Sequence, residues 1–183
     1  MTPKQPIAVC LALACAAATV WAAPGPSRTV SQMGPLKVGQ PCPSFGGLTL
    51  DNRALSLSKL VAPRRGTPAA VVISFFATWC KPCKAQLPVL DRVLAGRTDV
   101  RGVLIDFGED PDVVAAFVSA EKLTLPVVPD KFTKIAARLG VDQSLPRTLV
   151  VDSKGNVSAI FEHEGDDFEK ALRAAIDQAL QAK

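Results

Sequence analysis

Histidine is nearly missing from this chain: His163 is the only one in 183 residues. It lies in the alternating stretch Ile160-Phe161-Glu162-His163-Glu164, which has the pattern of a strand with one face in solvent, so it reads as a surface residue and not as a ligand or base. Cysteine is also scarce, with five positions, Cys10, Cys15, Cys42, Cys80 and Cys83. A structural zinc or copper site built on Cys80 and Cys83 would therefore lack an evident full set of donors. Basic residues never run longer than Arg64-Arg65, and the net charge is only +4. Such a small and scattered excess argues against a nucleic-acid partner. No internal repeat is visible, which excludes a solenoid. What is present is 48% hydrophobic and 21% charged, the composition of one ordinary globular domain with a modest extension.

The extension comes first. From Met1 to Ala23 the chain carries one lysine, Lys4, then an uncharged Ala/Leu/Val run from Ile7, then small residues. This layout predicts a signal peptide over 1–22, with Val20 and Ala22 at the small-residue positions and export to the periplasm or the outer face of the cytoplasmic membrane. Two variants stay open. The run is about long enough for a marginal uncleaved anchor, and Leu13-Ala14-Cys15 faintly resembles a lipoprotein processing site, although Ala12 stands where such sites usually carry leucine. Residues 23–37, rich in Pro, Gly, Ser and Thr, are expected to form a flexible linker. The domain is expected to span 38–183.

The chemistry is concentrated in Phe75-Phe76-Ala77-Thr78-Trp79-Cys80-Lys81-Pro82-Cys83-Lys84. The apolar run Ala69 to Phe76 predicts a strand buried on both faces, and the periodic segment after Trp79 predicts a helix. The cysteines sit where strand hands over to helix. Unpaired N–H groups and a partial positive charge there favour a thiolate over a thiol, and Cys80 is placed to benefit. Three-residue spacing brings Cys83 close enough to close a small disulfide ring, and Pro82 suits a first turn that needs no N–H. Lys81 adds positive charge beside Cys80, and Arg147 is a further candidate cation. Lys81 and Pro82 are thus the candidate residues tuning the acidity of Cys80.

Around this element the pattern predicts an N-terminal hairpin, with extended pieces at Ser44 to Leu50 and Ala54 to Leu60. A helix marked by Leu87, Leu90 and Leu94 should run to Gly96, bent by Pro88. A buried strand follows at Arg101 to Phe107. Asp110-Pro111 opens a helix with Val113, Val114, Phe117 and Val118 on one apolar face. Leu125 to Val128 is extended, and Phe132 to Leu139 is a brief helix stopped by Gly140. A hairpin turns at Ser153-Lys154-Gly155-Asn156, and Phe168, Leu172, Ile176 and Leu180 mark a closing amphipathic helix. This order predicts a central sheet with helices on both faces.

Four stretches in this order resemble the thioredoxin superfamily, and within it the TlpA/ResA-type exported thiol-disulfide oxidoreductases: Val38-Gly39-Gln40-Pro41-Cys42-Pro43-Ser44-Phe45; Phe75 to Cys83; Gly140-Val141 followed by Leu145-Pro146-Arg147-Thr148; and Val151 to Val157. The resemblance implies an α/β, thioredoxin-like three-layer fold with a central mixed sheet, helices on both faces and an N-terminal β-hairpin. It implies catalysis by Cys80 and Cys83 and no cofactor. It also implies that Pro146 is a cis-proline facing the disulfide and, with Leu145 and Trp79, receives the extended chain of a client bearing cysteines or a disulfide. Cys80 would form a mixed disulfide that Cys83 resolves. The expected role is that of a reductant, for example in cytochrome c maturation, kept reduced by a membrane electron donor of the thiol-reducing type. An oxidase or isomerase role is the alternative, and a soft-metal-binding module is a weaker one.

Departures from the pattern matter. Ser74 stands where thioredoxins often bury an aspartate, and Gln86 where ResA-like proteins carry a glutamate. A base for Cys83 would be water or another group, such as Asp106 or Glu109 at the end of a neighbouring strand. Cys42 replaces an alanine of the family opening and reads as a small buried residue, with a third redox sulfur or an intermolecular bridge as the other possibility. A peroxidase motif of the form Pro-x-x-x-Thr-x-x-Cys is not matched, since Thr78 is out of register with Cys80 and Ser74 is not proline.

Overall fold

The computed structural model describes residues 36–63, 69–162 and 167–182. The leader, most of the linker and His163 lie outside the described residues. Five strands form one sheet: β3 Ala70–Phe76, β4 Val100–Asp106, β5 Val127–Val128, β6 Arg147–Val151 and β7 Val157–Phe161, in the order β5-β4-β3-β6-β7. β3, β4 and β5 run parallel, while β6 and β7 are antiparallel to their neighbours. Ahead of the sheet, β1 Gly46–Leu48 and β2 Ala54–Ser56 form the expected small antiparallel hairpin.

β3 is buried along its whole length, so both its faces carry apolar side chains and alternate residues feed two cores. Ala70, Val72 and Phe76 face one core together with Leu87, Leu90 and Val93 of α2 (Lys81–Leu94), Val114 of α3 (Pro111–Ala120) and Leu172 and Ile176 of α5 (Phe168–Gln181). Val71, Ile73 and Phe75 face the other, with Leu57 and Leu60 of α1 (Leu57–Val61) and Ala136 of α4 (Lys134–Arg138). Leu36, at the end of the segment read as linker, packs in this second core. The architecture is thus the three-layer α/β sandwich expected. Among the described residues no helix is long and apolar enough to cross a membrane.

Three local expectations are corrected. Residues 57–61 are helical, not extended: Ser56 caps α1 by accepting the Lys59 N–H at 3.4 Å, and the three-residue spacing puts both leucines on the sheet. α2 continues as one helix through Pro88, which faces solvent, and ends at Leu94, two residues short of the expected Gly96. In α3 only Val114 is fully buried; Val113 is 51% exposed, because the helix lies over the sheet on a narrower stripe than four apolar residues suggested.

Candidate active site

Cys80 and Cys83 are joined by a disulfide, with sulfurs 1.96 Å and Cα atoms 5.3 Å apart. Cys80 is the N-cap of α2, and its Sγ accepts the Cys83 N–H at 3.2 Å. The helix therefore points one of its four unpaired donors at this sulfur. Pro82 falls in the first turn, where its missing donor removes nothing, and Lys81 stands exposed at the first helical position. Cys80 is 3% exposed and Cys83 fully buried, so Cys80 offers the accessible sulfur. Trp79, directly before it, is 59% exposed.

On the other side of β3, the Leu145–Pro146 peptide bond is cis. Arg147 pairs in register with Phe75, which sets Pro146, itself buried, against the end of the strand that leads into the cysteines. Leu145 is half-buried and packs against both cores. Arg147 does not bring its charge to the cysteines as a free cation. It is buried, and its guanidinium pairs with Glu162 at 3.0 Å, beyond the end of β7.

Ser74 of β3, Thr148 of β6 and Gln86 of α2 form a neutral polar row. The Ser74 and Thr148 hydroxyls lie 2.8 Å apart, and Thr148 Oγ1 donates to Gln86 Oε1 at 3.5 Å. Gln86 keeps a polar contact without titrating, as expected. The carboxylates that are present lie one strand over. Asp106 is fully buried at the end of β4, beside Phe76 in register, and its Oδ2 accepts the Glu109 N–H at 2.9 Å. Glu109 in turn grips Thr78, accepting both the main-chain N–H and the hydroxyl at 2.6 Å. Burial, reinforced by neighbouring Glu109, pushes the Asp106 carboxyl up to about 7. Sequence reasoning named both acids but missed the Thr78 clamp. A threonine just before the cysteines and a glutamate just before a helix were the only signals.

Cys42 is buried and unpaired, and burial pushes its thiol up to about 12. It is a packing residue, as read from the sequence. Among the described residues no cluster of three or more His, Cys, Asp or Glu could hold a metal ion.

A mixed sheet with a Cys-x-x-Cys disulfide at a strand-to-helix junction and a cis-proline at the neighbouring strand defines a thioredoxin-like thiol-disulfide oxidoreductase. The chain belongs to the AhpC/TSA family, whose profile matches residues 38–160. It is similar to the thioredoxin-like protein YneN of Bacillus subtilis, 30% identical over 146 residues, covering 78% of this chain and 80% of that one. It is also similar to the thiol-disulfide oxidoreductase ResA of Bacillus thuringiensis, 28% identical over 124 residues, covering 67% and 68%. Among solved structures, a putative thiol:disulfide interchange protein DsbE from Chlorobium tepidum superposes with a TM-score of 0.71 at 20% identity, covering 79% of this chain and 99% of that one. That likeness is one of fold.

Proposed function

We propose that this protein is exported and reduces disulfides in client proteins, with Cys80 as the exchanging sulfur and Cys83 as the resolving one. The observation that carries the reading is the position of Cys80 at the N-cap of α2, its Sγ accepting the Cys83 N–H. In the reduced protein the same donor and the helix dipole stabilise a Cys80 thiolate. The exposed Trp79 beside it, and Leu145 and Pro146 across β3, offer an edge on which an extended client segment can lie. Lys81, exposed beside Cys80, adds to the positive potential.

The Cys80 thiolate attacks one sulfur of the client disulfide. The client S–S bond breaks, one client sulfur departs as a thiolate and takes a proton from water, and the other stays bonded to Cys80. Cys83 then gives up its proton and attacks Cys80 Sγ, releasing the second client sulfur as a thiolate. Two electrons have passed to the client, and the chain is left as the Cys80–Cys83 disulfide. A dithiol donor at the membrane restores the reduced form. Resemblance to ResA-type proteins supports the direction, and apocytochrome c is a fitting client because its haem-binding thiols must be reduced. The leader read over residues 1–22 supports export.

The test is a Cys83→Ser variant expressed in its exporting host. Without the resolving sulfur, client mixed disulfides should accumulate on Cys80 and disappear with dithiothreitol and with Cys80→Ser. Absence of trapped species under both oxidising and reducing conditions refutes client exchange. With the trapped client and the wild-type protein, a Cys80–Cys83 disulfide form that oxidises the client dithiol, while the dithiol form fails to reduce the client disulfide, would assign the opposite direction.

A further inference from the structure

Asp106 and Glu109, candidate bases in the sequence, have no part in the exchange steps above, yet they join the end of β4 to the turn that sets Cys80 in place. Asp106 is fully buried; one carboxyl oxygen accepts the Glu109 N–H and the other, Oδ1, has no partner among the described residues. After burial, the neighbouring Glu109 side chain is what raises the Asp106 carboxyl. Glu109 already accepts two donors from Thr78, two residues before Cys80, whose own N–H bonds the Ala77 carbonyl at 3.1 Å. Two adjacent carboxyls in a water-poor site do not both ionise readily. A protonated Asp106 is a neutral neighbour to the Glu109 side chain; an ionised one adds a buried negative charge beside it.

The other charges near this end of the sheet face solvent or other partners. From α2, Lys81 is exposed and Lys84 lies with its Nζ 5.5 Å from the Phe117 ring centroid. From α3, Asp110 pairs with Lys131 of the β5–α4 loop at 2.6 Å, and Asp112 is exposed. Asp130 of that loop gives both carboxylate oxygens to the N–H groups of Lys134, Ile135 and Ala136. Glu109 is the charged group that acts on Asp106.

We propose that Asp106 holds a proton beside Glu109, beneath the Thr78–Cys80 turn, and that this proton couples the acidity of the medium to the thiolate population of Cys80. With the proton in place Glu109 keeps its hold on Thr78 and the turn faces one buried negative charge. Its loss adds a second, which disfavours the thiolate and loosens the clamp. Asp106 is thus a positioning residue acting through Glu109, and the inference deepens the exchange reading, since it rests on Cys80 as the attacking sulfur.

The test is the rate of iodoacetamide alkylation of Cys80, in a Cys83→Ser background, from about pH 5 to about pH 9. With Asp106 as aspartate, the profile should carry a second inflection near pH 7. Asp106→Asn keeps a neutral group beside Glu109 and should show a single step, with an unchanged rate at about pH 5 and a higher one at about pH 8. At an effective dielectric constant of about 20, a unit charge acting over a separation of about 10 Å changes the thiolate equilibrium on the order of tenfold. Glu109→Gln should move the inflection to lower pH, because it removes the competing carboxylate. Superimposable profiles for aspartate and asparagine overturn the proposal, as does a change by the same factor at every pH, which is what a merely structural role produces. Alkylation needs no client, so failure to trap clients sinks the exchange reading without touching this result.

Discussion

The buried Asp106 should make the stability of the folded protein fall as pH rises, against the usual behaviour of a paired carboxylate. In the unfolded chain its carboxyl titrates at the ordinary value of 3.8, while in the fold it is pushed up to about 7, first by burial and then by Glu109. Below the lower value both states are protonated and there is no penalty. Between the two values the unfolded state loses its proton while the native state keeps it, so stability drops steadily, and above about pH 7 the loss is complete. A separation of about three units corresponds to about 4 kcal/mol, and local relaxation around the anion brings this to roughly 2–4 kcal/mol. That is a large share of the roughly 5–15 kcal/mol that holds a typical domain together. Asp51, Asp99, Asp110, Asp142 and Glu169 are shifted the other way by hydrogen-bonding and cationic partners. Their stabilisation is present above the ordinary carboxylate range and is lost as pH falls through their lowered values. Those contributions are shared by the parent and an Asp106→Asn variant and cancel in the difference. Urea unfolding of both oxidised proteins should therefore give equal stabilities near pH 4 and a variant more stable by roughly 2–4 kcal/mol near pH 8. A gap that stays constant across that range refutes the reasoning.

Two further predictions concern the frame around the site. Cys42, with its thiol raised to about 12 by burial, should stay unlabelled by a thiol-specific disulfide reagent in the native reduced protein and react only on unfolding; prompt labelling of a third thiol contradicts this. Asp130 caps the short α4 by accepting three main-chain N–H groups at 2.8 Å, so Asp130→Ala should destabilise the protein by roughly 2–3 kcal/mol in urea unfolding. A loss under about 0.5 kcal/mol would show the cap to be dispensable.

What could be seen in the sequence was what local pattern determines. The unbroken apolar run of β3, the helical spacing of Leu87 and Leu90, and the turn at Gly155 each announce their element within a few residues. The cysteine pair is equally local, since three-residue spacing at a helix start brings the sulfurs together. Residues 57–61 misled because a five-residue piece with two leucines fits a strand or a single helical turn equally well, and only the Ser56 cap and the sheet beneath decide between them. Arg147 looked like a cation for the site because of its place beside Pro146; the strand's register instead buries it and hands its charge to Glu162. The hold of Glu109 on Thr78 joins residues 31 apart in the chain, and no spacing rule reaches that far. It exists because β3 and β4 run parallel, which carries the loops after them to the same end of the sheet.

The proposed exchange needs Cys80 to become an anion at the start of α2. Ultraviolet absorbance of the thiolate, followed during acid–base titration of the reduced protein and of its Cys80→Ser and Cys83→Ser variants, measures this directly. The prediction is a thiolate step that vanishes with Cys80→Ser, persists with Cys83→Ser, and lies at least one unit below the value of about 8.5 for a free cysteine. A Cys80 step at or above that value, or one that belongs to Cys83, contradicts it.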